Sequence, residues 1–382
     1  MKYFIIAGEA SGDLHASNLM CELKKADAEA DFCFLGGDLM QAQGGTMIKH
    51  FRQMAFMGIV NVVLNARTVL RNLRDCKTAI LNYRPDVVIL VDYPSFNLRI
   101  ARFVKEQLTN TPVYYYISPK IWAWKEFRIK QIKKYIDRMF TILPFETEFY
   151  ARHNYQVEYV GNPTVDSVAK FVPSHASLTD FCVHNNLPQK PIIAILAGSR
   201  RQEIRQCLAR MVEAAVHFPD YQVVVAGAPS VELDFYHSAL PNTDFQIVFG
   251  QTYELLHHSR AAIVNSGTAT LETALLNVPE VVVYHVPLGK FGYRVKNLAI
   301  KVKYISLVNL IAEKEVVKEL IAHQFTSNNI KGELPRMLFD DDFRCQMLDE
   351  YAIVKQRLGE SGAAAHAAEK MVSYLRKKTT TK

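Results

Sequence analysis

The chain has 382 residues, of which 49% are hydrophobic and 22% are charged. At about 150 residues per domain this length predicts two or three domains, and the apolar fraction excludes a disordered or fibrous chain. The 45 Lys and Arg against 38 Asp and Glu give a net charge of +7, which favours an anionic partner of unspecified kind.

The sequence carries no pattern of a membrane span or of export. No apolar run reaches the ~18 residues that a spanning helix needs. Glu9 and Asp13 follow the first apolar stretch too closely for a signal peptide. The six cysteines include no Cys-x-x-Cys pair, which argues against a disulfide framework or a zinc site. We therefore expect a cytoplasmic protein.

Short apolar runs alternate with amphipathic, helix-period stretches along most of the chain. Near-continuous apolar runs are typical of strands in a parallel sheet that helices cover on both faces. In the first half, strands are predicted at 3–7, 32–35, 87–91, 113–117, 138–142 and 157–160. In the second half they are predicted at 192–196, 222–226, 245–248, 261–264 and 281–284. Strands and helices at this spacing form βαβ units, so the fold class is α/β.

The alternation pauses once, at Gly161-Asn162-Pro163 and the irregular stretch 171–190. We place a domain boundary there, between a domain at 1–165 and a second at 166–345. Each is predicted to be a Rossmann-like, doubly wound parallel sheet, the two facing each other across a cleft. After residue 310 the pattern is helical only and ends in a basic tail.

Acidic side chains crowd the loop after the first predicted strand. Gly8 and Gly12 allow a ligand to approach a helix N-terminus, but their spacing matches neither the dinucleotide fingerprint nor the P-loop. A tight turn with Asp13 as a helix cap is the structural alternative. It does not readily explain why Glu9, Asp13 and His15 lie together.

Asp92 directly follows the most apolar predicted strand, at 87–91. A carboxylate at the edge of a dry crevice can have a raised pKa and act as a general base. The alternative is that Asp92 only begins a turn before Pro94. Because ligands of doubly wound sheets bind outside the carboxyl ends of central strands, we favour the functional role.

Two turns of small residues in the second half each join a strand to a helix. Such turns offer backbone N–H groups to an anion, and the first adds a hydroxyl and a guanidinium. Either turn alone could be an ordinary helix cap, but together they favour a nucleotide diphosphate site that needs no metal. An acidic residue in the helix after the second turn could accept from ribose hydroxyls. The residues are Gly198, Ser199, Arg200, Ser266, Gly267, Thr268 and Glu272.

Other charged patterns favour structure over ligand binding. The Asp run at 340–342 is typical of a helix cap, and adjacent His257 and His258 point to different helix faces. The basic stretches 128–134 and 294–303 lack the interleaved aromatics of a single-strand nucleic-acid platform, so no nucleic-acid partner is expected.

An apolar segment at 55–64 precedes an Arg-rich helix. Core packing is the default interpretation. The alternative is a surface that enters the membrane interface or holds acyl chains, with arginines for anionic headgroups.

Together these motifs resemble bacterial lipid-A-disaccharide synthases, a glycosyltransferase family of the two-domain type B (GT-B) architecture. The most specific blocks are Gly-Glu-Ala-Ser-Gly-Asp at 8–13 and Ser-Pro-x-x-Trp-Ala-Trp at 118–124. Further matching blocks lie at 57–60, 85–87, 92–97, 143–146, 198–200, 266–272 and 306–310. The chain departs from the family at Ala197, often Pro, and at Asn162, often His.

The resemblance implies an inverting transfer from UDP-2,3-diacylglucosamine to the 6-hydroxyl of 2,3-diacylglucosamine 1-phosphate. The products would be a β-1,6-linked disaccharide 1-phosphate and UDP, with no metal or other cofactor. Asp92 would be the general base, and Glu9 and Arg200 complete the predicted catalytic set. The resemblance puts Glu9 near the acceptor and Asn309 near the uracil or ribose.

The resemblance also bears on location. Because both substrates carry acyl chains, it implies peripheral association with the cytoplasmic leaflet of the inner membrane through residues 55–70 and the basic helices. In this architecture the terminal helices, here 346–382, often cross back to the first domain.

Two alternatives stay open. One is another sugar-nucleotide enzyme of this architecture, such as an epimerase or a soluble-acceptor transferase, against which the apolar segment argues. The other is a non-catalytic nucleotide-sugar or lipid-binding protein, which would not need Asp92.

Overall fold

The computed structural model describes residues 1–54, 66–240, 245–286 and 302–380. The chain forms two compact units, one of Met1–Pro163 with Ser361–Lys382 and one of Thr164–Glu360. Each unit is built on its own parallel sheet, so the predicted α/β fold class with two Rossmann-like domains is confirmed.

The first unit has a seven-stranded sheet in the order β3-β2-β1-β4-β5-β6-β7. Its strands are β1 (Lys2–Ala7), β2 (Asp31–Gly36), β3 (Thr46–His50), β4 (Val87–Val91), β5 (Val113–Tyr116), β6 (Arg138–Thr141) and β7 (Glu158–Tyr159). Its first helices are α1 (Ala10–Ala26), α2 (Asp38–Ala42), α3 (Ala66–Tyr83), α4 (Pro94–Gln107), α5 (Ile129–Tyr135) and α6 (Phe145–Arg152).

The second unit has a six-stranded sheet in the order β10-β9-β8-β11-β12-β13. Its strands are β8 (Ile192–Leu196), β9 (Gln222–Gly227), β10 (Gln246–Phe249), β11 (Ser259–Asn265), β12 (Glu280–Tyr284) and β13 (Lys318–Ile321). The helix α7 (Pro163–Ala169) leads into it. Its other helices are α8 (Leu178–His184), α9 (Arg201–Ala215), α10 (Leu233–Ala239), α11 (Thr252–His257), α12 (Thr268–Leu275), α13 (Leu307–Ala312), α14 (Ser327–Phe339) and α15 (Asp341–Leu358).

The last helix, α16 (Ala363–Thr380), belongs to the first unit, where it packs on α1. The predicted ranges ended the first domain at 165 and began the terminal segment at 346, whereas the chain enters the second unit after Pro163 and leaves it after Glu360. The later exit arises because α15 buries Met347 and Tyr351 and packs on α13 and α14.

Both faces of each sheet are covered, which explains the continuous apolar strands. In β1 the side chains of Tyr3 and Ile5 face the core under α1 and α16, whereas Phe4 and Ile6 face the core under α3, α4 and α5. All of the predicted strands are present. Two edge strands, β3 and β13, were missed because they are short and half polar, and β13 makes the prediction of helices only after residue 310 wrong.

The two sheets share one topological feature. The order of strands reverses between β1 and β4 in the first unit and between β8 and β11 in the second. The connections after these paired strands leave in opposite directions, which opens a crevice at their carboxyl ends. The residues that follow the four strands are Gly8, Asp92, Ala197 and Ser266, so Asp92 and the loops that begin at Gly8, Ala197 and Ser266 lie at the two switch points, whereas Asn309 lies on α13.

Candidate active site

The loop after β1 contacts the loop after β4. A Cβ atom on Gly8 would lie 2.2 Å from Cδ1 of Tyr93, so only glycine permits this approach. The next residue, Glu9, is the N-cap of α1 and is partly exposed. Burial and then the negative charge of Glu9 raise the pKa of Tyr93, so these two side chains lie in each other's field. Glu9 therefore lies close to the end of β4, and its role near the acceptor stays a prediction.

Asp13 has a structural role. Its buried carboxylate accepts hydrogen bonds from the backbone N–H groups of Gly37 (2.7 Å), Leu39 (3.1 Å) and Met40 (3.2 Å). Asp13 therefore caps α2, the helix that follows β2, and does not cap its own helix. The acidic crowding after β1 thus has separate causes, since Asp13 serves the fold and Glu9 lies close to the end of β4.

Asp92 occupies a strained position at the end of β4. Asp92 and Tyr93 have φ angles of 43° and 48°, in the left-handed region that side chains other than glycine rarely adopt. The carbonyl of Asp92 accepts from Nδ2 of Asn97 at 2.6 Å and from the hydroxyl of Tyr115 at 2.5 Å, and these bonds hold the conformation. Burial raises the pKa of the Asp92 carboxyl, and the charge of Lys120 partly opposes this rise. These are properties of a general base.

A buried glutamate lies at the next strand ends. Oε1 of Glu146 accepts from Oγ of Ser118 (2.5 Å) and from Nε1 of Trp122 (3.0 Å), and Oε2 accepts from the N–H of Leu143 (3.1 Å). Burial raises the pKa of Glu146 to about 7. Sequence reasoning gave Glu146 no role, although it follows a strand end and stands in a family-matching block.

The turn after β8 is held by a second glutamate that sequence reasoning missed. Gly198 has a φ of 119°, and a Cβ atom there would lie 2.5 Å from Oε2 of Glu203. The carboxylate of Glu203 accepts from the N–H of Ser199 at 3.1 Å and pairs with Nη1 of Arg200 at 3.2 Å. Arg200 is the exposed N-cap of α9, and Glu203 stands three residues later, the spacing of a capping box.

The turn after β11 presents an exposed helix N-terminus. Gly267 is the N-cap of α12, Thr268 begins the helix, and both are exposed. Ser266 donates from its backbone N–H to the carbonyl of Val283 at 2.9 Å and from Oγ to the carbonyl of Ile305 at 3.2 Å. The hydroxyl of Ser266 thus anchors the turn, while Gly267 and Thr268 provide its open face.

Glu272, on the second turn of α12, lies in a largely buried environment. The hydroxyl of Tyr253 donates to Oε1 of Glu272 at 2.9 Å. Burial raises the pKa of Glu272, and the hydrogen bond from Tyr253 opposes it. The Tyr253 ring packs edge-on against Phe171, with centroids 5.7 Å apart. Tyr253 is a further residue of this site that sequence reasoning missed.

The side chain of Asn309 is fully engaged inside the second unit. Its Nδ2 donates to the carbonyl of Val317 (2.8 Å) and to Oε1 of Glu319 (3.0 Å). Its Oδ1 accepts from the N–H groups of Val316 (2.7 Å) and Val317 (2.9 Å). Glu319 also accepts from the N–H groups of Ile305 and Ser306. Asn309 is therefore linked to the turn after β11 indirectly: it donates to Glu319, Glu319 accepts from Ile305, and the carbonyl of Ile305 accepts from Ser266.

The described residues include no group of three or more His, Cys, Asp or Glu side chains that could hold a metal ion. In the Asp run, Asp340 accepts from the N–H of Phe343 at 2.9 Å and caps α15, as its pattern predicted. No helix in the described ranges combines the length and hydropathy required to cross a bilayer.

Residues 55–65 of the apolar segment and 294–301 of the second basic stretch lie outside the described residues. The helix after the apolar segment, α3, exposes Arg67, Arg71 and Arg74 together with Leu70, which is 61% exposed.

Two Rossmann-like units, each with one switch point in its parallel sheet, place the chain in the GT-B fold class. The solved structure of UDP-GlcNAc 2-epimerase from Methanocaldococcus jannaschii aligns with a TM-score of 0.61 at 12% identity, covering 99% of this chain and 100% of that one. The glycosyltransferase SnogD from Streptomyces nogalater aligns with a TM-score of 0.55 at 16% identity, covering 98% and 99%. These likenesses support the fold alone.

Sequence comparison narrows the class to one family. The family model of lipid-A-disaccharide synthetase matches residues 3–371. Lipid-A-disaccharide synthase of Myxococcus xanthus is 39% identical over 98% of this chain and 97% of its own length. That of Acidobacterium capsulatum is 35% identical over 97% and 95%. The chain belongs to the lipid-A-disaccharide synthase family.

Proposed function

We propose that this protein joins UDP-2,3-diacylglucosamine to 2,3-diacylglucosamine 1-phosphate in one inverting displacement. The products are the β-1,6-linked disaccharide 1-phosphate and UDP. Membership of the family supports this hexosyltransferase activity. The observation that carries the mechanism is the buried, strained Asp92 at the switch point of the first sheet.

On the acceptor side, Asp92 takes the proton from the 6-hydroxyl as its oxygen attacks the anomeric carbon of the donor. A general base must be ionised at the working pH yet basic enough to accept a proton. Burial makes Asp92 more basic, and Lys120 keeps it ionised. Glu9, one strand away, is the second acidic group at this edge and orients the acceptor sugar.

On the donor side, the bond from the anomeric carbon to the diphosphate breaks, and UDP leaves with the electron pair. The leaving diphosphate gains negative charge, which Arg200, the hydroxyl of Ser199 and the N–H groups of Gly267 and Thr268 stabilise. Glu272 accepts from the ribose hydroxyls. This donor set supports a reaction without a metal ion.

Within this donor site, Gly198 and Ser266 shape the two turns that bind the diphosphate. Asn309, whose four hydrogen bonds are internal, positions the second turn instead of contacting the nucleotide.

The acyl chains of both substrates require access from a bilayer, so we propose peripheral association with the inner membrane through residues 55–70 and the basic helix α5. Leu70 and the arginines of α3 are exposed, as are Lys130, Lys133 and Lys134 of α5. Leu70→Ser and Val63→Ser should each reduce sedimentation with anionic phospholipid vesicles without lowering the unfolding temperature. Val172→Ser, at a 77% exposed site in the second unit, is the matched control. Unchanged vesicle binding in both variants would remove this surface from the proposal.

The deciding experiment is incubation with both lipid substrates and measurement of the product mass, with and without a chelator. We expect a disaccharide 1-phosphate in both conditions, and Asp92→Asn should lower turnover ~10²–10⁴-fold with intact UDP binding. Near-normal turnover of that variant would refute the assignment of Asp92. Conversion of the UDP-sugar without an acceptor would instead favour an epimerase, and loss of activity in chelator would overturn the metal-free reaction.

A further inference from the structure

The turn that follows β5 is tied to a single buried side chain. Ile117 leaves the strand with a φ of 64°, in the left-handed region that is especially unfavourable for a β-branched residue. Ser118 and Trp122, at the two ends of the turn, both donate to Oε1 of Glu146. Trp122 also packs edge-on against Phe145, with centroids 5.0 Å apart. One carboxylate thus fixes both ends of a strained turn.

Lys120 lies at the middle of this turn and is exposed. Its carbonyl accepts from the N–H of Ala123 at 3.2 Å, so its backbone is part of the turn. The turn begins next to Asp92, because the backbone N–H of Asp92 donates to the carbonyl of Tyr116, the last residue of β5, at 3.2 Å. The positive charge of Lys120 lowers the pKa of the Asp92 carboxyl and so favours the ionised form. The position of Lys120 relative to Asp92 therefore depends on the bonds that hold the turn.

We infer that Glu146 is a positioning residue for the transfer reaction. It holds the 117–122 turn through Ser118 and Trp122, and thereby keeps Lys120 beside the general base. This inference rests on the proposed function, because it takes Asp92 as the base. Glu146 itself is only 1% exposed, so we place its effect in the turn that it holds and not in a direct contact with a substrate.

An apolar side chain at this position would be easier to bury, but it could not accept these hydrogen bonds. The groups that face Glu146 are Ser118, Trp122, the N–H of Leu143 and the phenols of Tyr150 and Tyr159, whose pKa values are raised by burial and by the charge of Glu146. The strongest influences on the pKa of Glu146 are burial, which raises it, and the hydrogen bonds from Ser118, Leu143, Trp122 and Ile142, which lower it. Its ionisation is therefore governed by burial and by the turn that it holds.

The first test does not require activity. Trp122 and Trp124 are the only tryptophans in the chain, so Trp124→Phe leaves Trp122 as the sole indole. Its emission should titrate with a midpoint at about 7, as the hydrogen-bonded carboxyl of Glu146 ionises. The transition should vanish in Trp124→Phe/Glu146→Gln and be missing from Trp122→Phe. Emission of Trp124→Phe that is constant between about pH 5 and pH 9 would overturn the anchoring role.

The second test follows the acidic limb of kcat/KM, which reports the ionisation of Asp92. Lys120→Met should move this limb up by about one pH unit, because the loss of a nearby positive charge disfavours the carboxylate. Glu146→Ala should cause a similar shift. In the double variant Lys120→Met/Glu146→Ala the acidic limb should move no further than in Lys120→Met alone. Glu146→Gln, whose amide oxygen still accepts from Ser118 and Trp122, should return the limb to its wild-type position.

UDP affinity, which depends on the second unit, should be equal in all of these variants. Calorimetry of unfolding identifies a variant that has lost its fold. If Glu146→Ala is such a variant, the proposal is judged on the acidic limbs of kcat/KM of the other two variants, which should be shifted in Lys120→Met and unshifted in Glu146→Gln. An active Glu146→Ala enzyme whose limb stays at the wild-type position would refute the positioning role alone, whether or not Lys120→Met moves the limb. Absence of transfer by the wild-type enzyme would refute the proposed function and, with it, this role.

Discussion

Asn309 separates two explanations of how a residue supports nucleotide binding. The family resemblance puts Asn309 near the uracil or ribose, whereas the structure commits its side chain to four internal hydrogen bonds. Replacement by alanine removes all four. It leaves the N–H groups of Val316 and Val317 without their acceptor and takes one donor from Glu319.

The magnitude follows from these contacts. Three bonds to neutral groups at about 1 kcal/mol each and one to a carboxylate at about 2 kcal/mol give a loss of about 5 kcal/mol in unfolding free energy. Asn309 is 0% exposed, so water does not readily replace the lost partners. For a unit of this size the unfolding temperature should fall by roughly 10–20 °C. Asn309→Asp keeps the two accepted bonds and loses both donated ones, about 3 kcal/mol on the same scale. It also places a second carboxylate beside that of Glu319, so its total loss should be of similar size.

Calorimetry is the appropriate assay, because both tryptophans lie in the first unit and do not report on the second. The matched control is Asn329→Ala, which removes one exposed hydrogen bond to the carbonyl of Gln324 and should change stability by less than ~0.5 kcal/mol. UDP titration of Asn309→Ala far below its unfolding temperature should give only a modest loss of affinity. An unchanged unfolding temperature together with abolished UDP binding would refute the scaffold role and restore the direct contact.

Three further predictions address the second unit. Arg200→Ala should weaken UDP binding ~10–100-fold by calorimetric titration, since it removes a charge-assisted donor, and equal affinity would exclude Arg200 from the diphosphate site. Gly198→Ala should also weaken UDP binding, because its φ of 119° and a Cβ 2.5 Å from Glu203 would force the turn open; wild-type affinity would contradict this geometry. Glu280 is buried, with neither carboxyl oxygen hydrogen-bonded among the described residues, and burial raises its pKa well above the usual range. The folded state therefore holds a proton that the unfolded state releases, so the stability that Glu280 contributes is lost as the pH rises above the usual carboxyl range. The unfolding free energy measured in urea at pH 5 and pH 8 should depend less on pH in Glu280→Gln than in the wild type. An equal pH dependence would contradict the assignment of this proton to Glu280.

The fold was largely predictable because burial on both faces makes central strands continuously apolar. β4 and β8 are unbroken apolar pentads, and each stands out from its surroundings. β3 and β13 were not predictable on that basis, since an edge strand covered on one side needs no such run. The end of the second domain was predicted at 345 instead of 360 for a related reason. The apolar periodicity of α15 shows that one face of the helix is buried, but not against which of the two sheets.

The site was predictable where chemistry follows directly from position. Asp92, Arg200 and Ser266 directly follow strands or begin helices, so their sequence neighbours located them. Glu146, Glu203 and Glu319 escaped because their partners lie in other elements or in a preceding turn. Glu203 carried a usable local signal in its capping-box distance from Arg200, and Glu146 carried one in its position after a strand end within a family-matching block.

The acidic residues near the two switch points therefore divide by what their oxygens accept. The carboxylate of Asp13 accepts hydrogen bonds from three backbone N–H groups. That of Glu319 accepts from two backbone N–H groups and from the side-chain amide of Asn309. Several fixed donors immobilise a carboxylate and occupy its oxygens, so it makes a good anchor. The backbone of Asp92, by contrast, is held by Asn97 and Tyr115, while burial leaves its carboxyl more basic. An acid at a strand end in this fold is thus a candidate for chemistry when its main chain is anchored, and a candidate scaffold when its side chain is the anchor.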